Sequence, residues 1–162
     1  MEKIIKQYAA YNEWANDKIV AFIDQSDIDL KAPFKSSFET IFDNILHIWD
    51  AEYIWYKRVQ GQPIETWPSK SFKGSWPELK QEFSNSNANW TNLMESMSTS
   101  DLEKEYSYKN SRDIKFTSSL IEIAMHLFNH ATYHRGQIVT ILHQNGNPSV
   151  GSTDLISFFR IQ

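Results

Sequence analysis

Residues 118–144 read SSLIEIAMHLFNHATYHRGQIVTILHQ, and this stretch decides the fold. Leu127, Ala131, Ile138 and Ile141 recur at the three–four spacing of a buried helical stripe. Asn145-Gly146, with Pro148 beyond, reads as a stop, so one long helix is predicted from about Ser118 to Gln144. His126, His130 and His134 follow one another in steps of four. Each such step turns only about 40° around a helix, so the rings project from neighbouring turns of one side. The apolar stripe shares that side, and His130 and His134 are expected to face the interior.

The rest of the chain supplies partners for that helix. Ile4, Tyr8, Tyr11, Ala15, Ile19 and Phe22 predict a first helix that ends within Asp24–Asp29. A second is predicted from Ser36-Ser37 through Ile41, Ile45, Ile48, Ala51, Trp55 and Val59, with Gly61 and Pro63 as its stop. Gln62 to Gly74 reads as a loop. Ser75-Trp76-Pro77-Glu78 has the form of a capping box and opens a third helix through Leu79, Phe83, Trp90, Leu93, Met94 and Met97. Tyr106-Ser107-Tyr108 and Ile114-Lys115-Phe116 alternate around Asn110-Ser111, the pattern of a short β-hairpin. Ser152 to Phe159 is predicted as a short closing helix. The expected fold is all-α: a four-helix bundle with a β-hairpin before the last long helix, one domain over residues 1–162. The long second loop and the hairpin argue against the simplest up-down arrangement.

Composition narrows the chemistry. Apolar residues make up 41% and charged residues 22%, which suits a folded domain. The net charge is −4 and no basic stripe exists, so nucleic acid is not expected as a partner. Lys57-Arg58 and Lys70 to Lys73 read as small solvated clusters. There is no cysteine, which removes disulfides, thiolate nucleophiles and sulfur-ligated metals. No stretch has the length of a membrane span or the form of a signal peptide, and the chain reads as cytoplasmic.

A metal would therefore be held by nitrogen and oxygen. His130-x-x-x-His134 is a bidentate clip on an apolar face, where two unpartnered imidazoles would be costly. His47, on the margin of the Ile45–Ile48–Ala51 stripe, is a third inward candidate. Asp43 and Asp50 stand one turn on either side of His47, where a carboxylate can orient an imidazole. His126 lies roughly 80° around the helix from His134 and is read as a pocket wall or surface residue. His143 suits the C-terminal end of its helix. Between His130 and His134 stand Ala131, Thr132 and Tyr133, so the glutamate of a HExxH peptidase is absent. Arg135 has two readings: a fork for a substrate carboxylate, or an ion pair with another helix or a dimer mate. Gly136, costly inside a helix, is expected to admit close approach of a neighbouring helix.

Asn129-His130-Ala131-Thr132-Tyr133-His134-Arg135-Gly136-Gln137 resembles the NH-x-x-x-HRGQ signature of the DinB/YfiT-like family of bacterial metalloproteins. Tyr11-Asn12-Glu13-Trp14-Ala15-Asn16 is similar to that family's first helix. His47-Ile48-Trp49-Asp50-Ala51-Glu52 with Trp55, Arg58 and Gly61 resembles its second. Gly146-Asn147-Pro148 and Asp154-Leu155 resemble its tail. The resemblance implies a four-helix bundle holding one divalent metal, nickel or zinc, through His47, His130 and His134. It also implies a homodimer. Some relatives are enzymes that use low-molecular-weight thiols, and others have no known activity. Two readings follow: a metal-dependent thiol transferase or hydrolase acting on a small molecule, or a non-catalytic metal-binding helical dimer in stress response or sensing. Three imidazoles and one open position are the arrangement of a catalytic zinc rather than a structural one.

Overall fold

Four long helices dominate the computed structural model, which describes residues 1–110, 112–146 and 150–161. In chain order the elements are α1 (Glu2–Asp24), α2 (Ile41–Val59), α3 (Pro68–Ser71), α4 (Trp76–Ser96), α5 (Thr99–Leu102), β1 (Glu105–Lys109), β2 (Lys115–Ser119), α6 (Leu120–Gln144) and α7 (Leu155–Phe159). Helices α1 and α2 each pack against both α4 and α6. Sequence neighbours α1 and α2 thus occupy one diagonal of the bundle, and α4 and α6 the other. That is not the simple up-down order, in which consecutive helices are adjacent. Among the described residues no helix is long and apolar enough to cross a membrane.

Short polar residues set the helix starts. Ser75 N–H donates to Glu78 Oε2 at 2.7 Å, closing the predicted box at the head of α4. Ser119 N–H donates to Glu122 Oε2 at 2.8 Å and fixes the head of α6. Helix α6 therefore begins at Leu120, not Ser118, because Ser118 and Ser119 still pair in the hairpin with Tyr106 and Glu105. Ser111, in the expected turn, and Asn147 and Pro148, in the expected tail, lie outside the described residues.

Three further features differ from expectation. Helix α2 starts at Ile41, after Thr40, whose Oγ1 accepts Asp43 N–H at 2.9 Å. Residues 36–40 are bent chain instead, and this releases Ser37 and Phe38 for the site described below. The loop after α2 contains one helical turn, α3, because Pro68 suits a first helical position and Asp50 Oδ1 accepts Ser69 N–H at 2.8 Å. The closing helix is shorter than predicted and begins after Asp154.

The core is two main apolar layers with a polar layer between, and a smaller third cluster of Tyr11, Ala15 and Phe158. One centres on Ile19, Ile45, Ile48, Leu79, Phe83 and Ile138; the other on Ile5, Trp90, Met94, Leu120, Leu127 and Phe128. Each such side chain gains roughly 1.5–3 kcal/mol on burial, so the bundle has ample reason to fold without a ligand. The predicted α1 stripe was out of phase at its start: Ile4 is 72% exposed, while Ile5 and Ala9 are buried. The true inward face continues through Asn12 and Asn16, both fully buried, which an apolar pattern cannot reveal.

Candidate metal centre

Helices α2 and α6 run side by side, and this adjacency brings three histidines together. His47 comes from the middle of α2, His130 and His134 from successive turns of α6. Their candidate ligand atoms all lie within 4.8 Å of one another. His47 Nε2 and His130 Nε2 are 3.0 Å apart, and the ring centroids of the three pairs are separated by 4.5 to 4.8 Å. Two nitrogens at about 2.0–2.1 Å on one tetrahedral ion would stand roughly 3.3 Å apart, so the His47–His130 pair is already close to that spacing, and the wider separations, up to 4.8 Å, would have to close around an ion.

The electrostatics suit a metal. Burial, reinforced by His134, pulls His47 down to about 4. Burial and the neighbouring His134, His47 and His126 pull His130 down to about 3. Burial also lowers His134, against the pull of its bond to Gln137. All three are then neutral near pH 7, the form whose nitrogen lone pair can coordinate. The donor set is all-nitrogen, compatible with zinc or nickel and poorly matched to calcium or magnesium.

One candidate ligand is visibly oriented. His134 Nδ1–H donates to Gln137 Oε1 at 2.9 Å, which leaves Nε2 free to coordinate. Gln137 Nε2 donates in turn to Ser37 Oγ at 2.6 Å. Phe38, the next residue, stacks on the His47 ring with centroids 4.1 Å apart and lies 5.6 Å from His134. The bent chain before α2 is thus a strap across one side of the triad. A cavity of about 350 Å³ adjoins His47, lined by Phe38, Asp43, Asp50 and Lys70 among others.

The expected carboxylate partners of His47 serve other roles. Asp43 Oδ2 accepts Thr40 Oγ1–H at 2.7 Å, within the α2 cap, and Asp50 Oδ1 holds the α3 turn. Neither hydrogen-bonds His47. His126 is exposed, with its ring 5.9 Å from His130 and 6.1 Å from Trp55, so it borders the triad without joining it. His143 is exposed in the last turn of α6.

Arg135 follows neither reading of its side chain. It is 1% exposed and points away from the triad into the bundle. Nη1 donates to Asn12 Oδ1 at 2.8 Å and Asn16 Oδ1 at 2.7 Å, and Nη2 donates to Thr132 Oγ1 at 2.7 Å. Asn12 and Asn16 also donate to Glu52 Oε1, at 3.3 and 3.5 Å. Among the described residues nothing lies within 4 Å of a Cβ added at Gly136, so none of the described helices makes the close approach expected there.

Sequence reasoning missed Ser37, Phe38 and Gln137. Gln137 was detectable, because it stands three residues after His134, the spacing at which helical side chains meet. Ser37 and Phe38 carried no such signal, since they fall where a helix had been expected.

The model of the DinB family matches residues 1–160 of the chain. No curated protein matches it.

Proposed function

The chain belongs to the DinB family, and from that premise we propose that it is a divalent-metal-dependent enzyme of thiol-transferase or hydrolase type. One nickel or zinc ion would be held by His47, His130 and His134. The observation that carries the reading is the count of ligands. Three neutral imidazoles converge, and among the described residues no fourth His, Asp or Glu joins them. An ion so held would supply Lewis acidity and an open coordination position, lowering the pKa of a thiol or water that reaches it. The chain has no cysteine, so sulfur would arrive on a low-molecular-weight thiol.

The protein's own residues have distinct parts in this reading. Gln137 holds the His134 tautomer. Phe38 fixes the His47 ring and shields one side of the triad from water. The cavity beside His47 provides room for a small-molecule substrate. The assembly is taken as a homodimer in the cytoplasm, and exposed Met125 and Tyr133 on α6 are apolar surface that such a contact would cover.

The strap favours a second reading, since Ser37 and Phe38 could seal the ion rather than guard it. A sealed ion would make the protein a metal-binding sensor or stress-response dimer without catalysis. Cobalt substitution separates the two, because its absorption responds to coordination number and to sulfur. Titration with mercaptoethanol and small anions should give saturable spectral change, abolished in His130→Ala. A spectrum indifferent to all of them supports the sealed site.

A further inference from the structure

Arg58 does not sit in a solvated cluster. Its side chain is half-buried, with Cζ 4.5 Å from the Trp55 ring centroid and 5.0 Å from that of Tyr108. The two rings themselves are 4.6 Å apart and steeply inclined. Nη2 donates to the Lys109 carbonyl at 2.9 Å, and among the described residues no carboxylate forms an ion pair with Arg58. Lys109, its neighbour in β1, has Asp113. A guanidinium has five N–H donors in a fixed fork. Here the plane is fixed by aromatic faces, one donor is used, and the charge is partly desolvated without a counter-ion.

The position of this cation gives it meaning. His47, Ala51, Trp55 and Arg58 follow one another by four, four and three residues, and so share one side of α2. That side borders α6, where His134, His130 and His126 form the facing row. The side chains make an unbroken run: His130 to His126, His126 to Trp55, and Trp55 to Arg58. By helical rise, Arg58 stands about 16 Å along α2 from His47. The run starts at the candidate metal and ends at the Arg58 cation, which lies against the hairpin.

We propose that Arg58 is an anion-binding subsite, and that the molecule reaching the metal is elongated, with a carboxylate or phosphate at the end opposite its metal-binding atom. Trp55 and His126 would line its middle. This rests on the open-metal reading above. A chain of net charge −4 repels anions overall, so attraction must come from a local cation, and the fork is suited to planar or tetrahedral oxyanions. Phosphate and carboxylate share this chemistry.

The alternative is that Arg58 only pins the hairpin to α2. Cobalt-loaded protein distinguishes them, with mercaptohexanoate, mercaptooctanoate and mercaptoundecanoate each compared with the mercaptoalcohol of equal length. The acid long enough to span should bind roughly 10- to 100-fold more tightly than its alcohol, the range for hydrogen bonds to charged groups. Arg58→Gln, which removes the cation and keeps a polar amide, should erase that ratio while leaving cobalt content and mercaptoethanol binding unchanged. Arg58→Lys should keep part of it, and carries the test if the glutamine variant fails to fold. Equal binding of acids and alcohols at every length, or an unchanged ratio in Arg58→Gln, overturns the subsite while the open metal stands. A spectrum deaf to mercaptoethanol overturns the open metal and the subsite with it.

Discussion

His134 and Gln137 are joined by one hydrogen bond, Nδ1–H to Oε1 at 2.9 Å, and that bond links a candidate metal ligand to the strap through Ser37. Partners of this kind fix tautomer and ring orientation, and their loss typically weakens metal binding 10- to 100-fold. Gln137→Leu should therefore weaken zinc binding by about that range, measured by competition with a chelating dye. The bundle should keep its melting temperature within a few degrees, because Gln137 contributes no core packing. Unchanged affinity would mean that helix α6 alone fixes the His134 ring.

Purified without a histidine tag, the protein should carry about one divalent ion per chain, since three ligands from two helices make one site. His47→Ala, His130→Ala and His134→Ala should each remove most of it in elemental analysis, and His126→Ala should remove little. Metal at a thousandfold excess over its Kd would add roughly 4 kcal/mol of stability, so chelation should lower the melting temperature. The helices should survive it, because both apolar layers are complete without the ion. Loss of the far-ultraviolet helical signal on chelation would recast the site as structural.

Much of this was legible in the chain itself. The helix 118–144 announced itself through apolar spacing, and its histidines through steps of four, because both depend only on helical periodicity. The start of α2 was misplaced at Ser36-Ser37, and Phe38, inside that stretch, instead stacks on His47. The Thr40-to-Asp43 cap was the competing signal, and it decides where α2 starts. Asn12 and Asn16 stayed hidden because polar residues on an inward face look like surface until their partners are known, and Arg135, read as a substrate fork or an ion pair, instead donates to Asn12, Asn16 and Thr132. Arg58 looked solvated beside Lys57, since the aromatic rings that hold it come from a different turn and from the hairpin.

The metal-free protein should lose stability on acidification. His47 and His130 have folded-state values of about 4 and about 3, below the ordinary 6.5. An unfolded chain takes up protons as pH falls below 6.5, whereas the folded chain resists until much lower pH. Stability from these groups is thus complete above 6.5 and declines as pH falls from there toward 4 and then 3. Urea midpoints measured from pH 7 to pH 4.5 should fall with pH. The fall should shrink in the double variant His47→Phe, His130→Phe.

Glu52 acts in the opposite sense. It is completely buried, and burial raises its carboxyl from 4.5 to about 7, against the influence of Ser86, Asn12 and Arg135. The folded chain therefore holds this proton more tightly than the unfolded one. Stability from Glu52 is complete below 4.5 and is lost as pH rises to about 7, by at most about 3 kcal/mol at one pKa unit per 1.36 kcal/mol. Glu52→Gln keeps the Oε1 acceptor used by Asn12 and Asn16 and cannot ionise. The variant should gain on the parent as pH rises from 5 to 7.5, and a urea-midpoint difference independent of pH would refute the buried titration. Arg135→Met should behave differently. It strands the buried Asn12 and Asn16 oxygens without their donor, and removing one partner from such a buried network costs about 3–5 kcal/mol. That loss should persist at every pH, since guanidinium does not titrate in the range. If Arg135→Met were neutral while Glu52→Gln shifted as described, the carboxyl rather than the guanidinium would be the group that shapes the layer between the two cores.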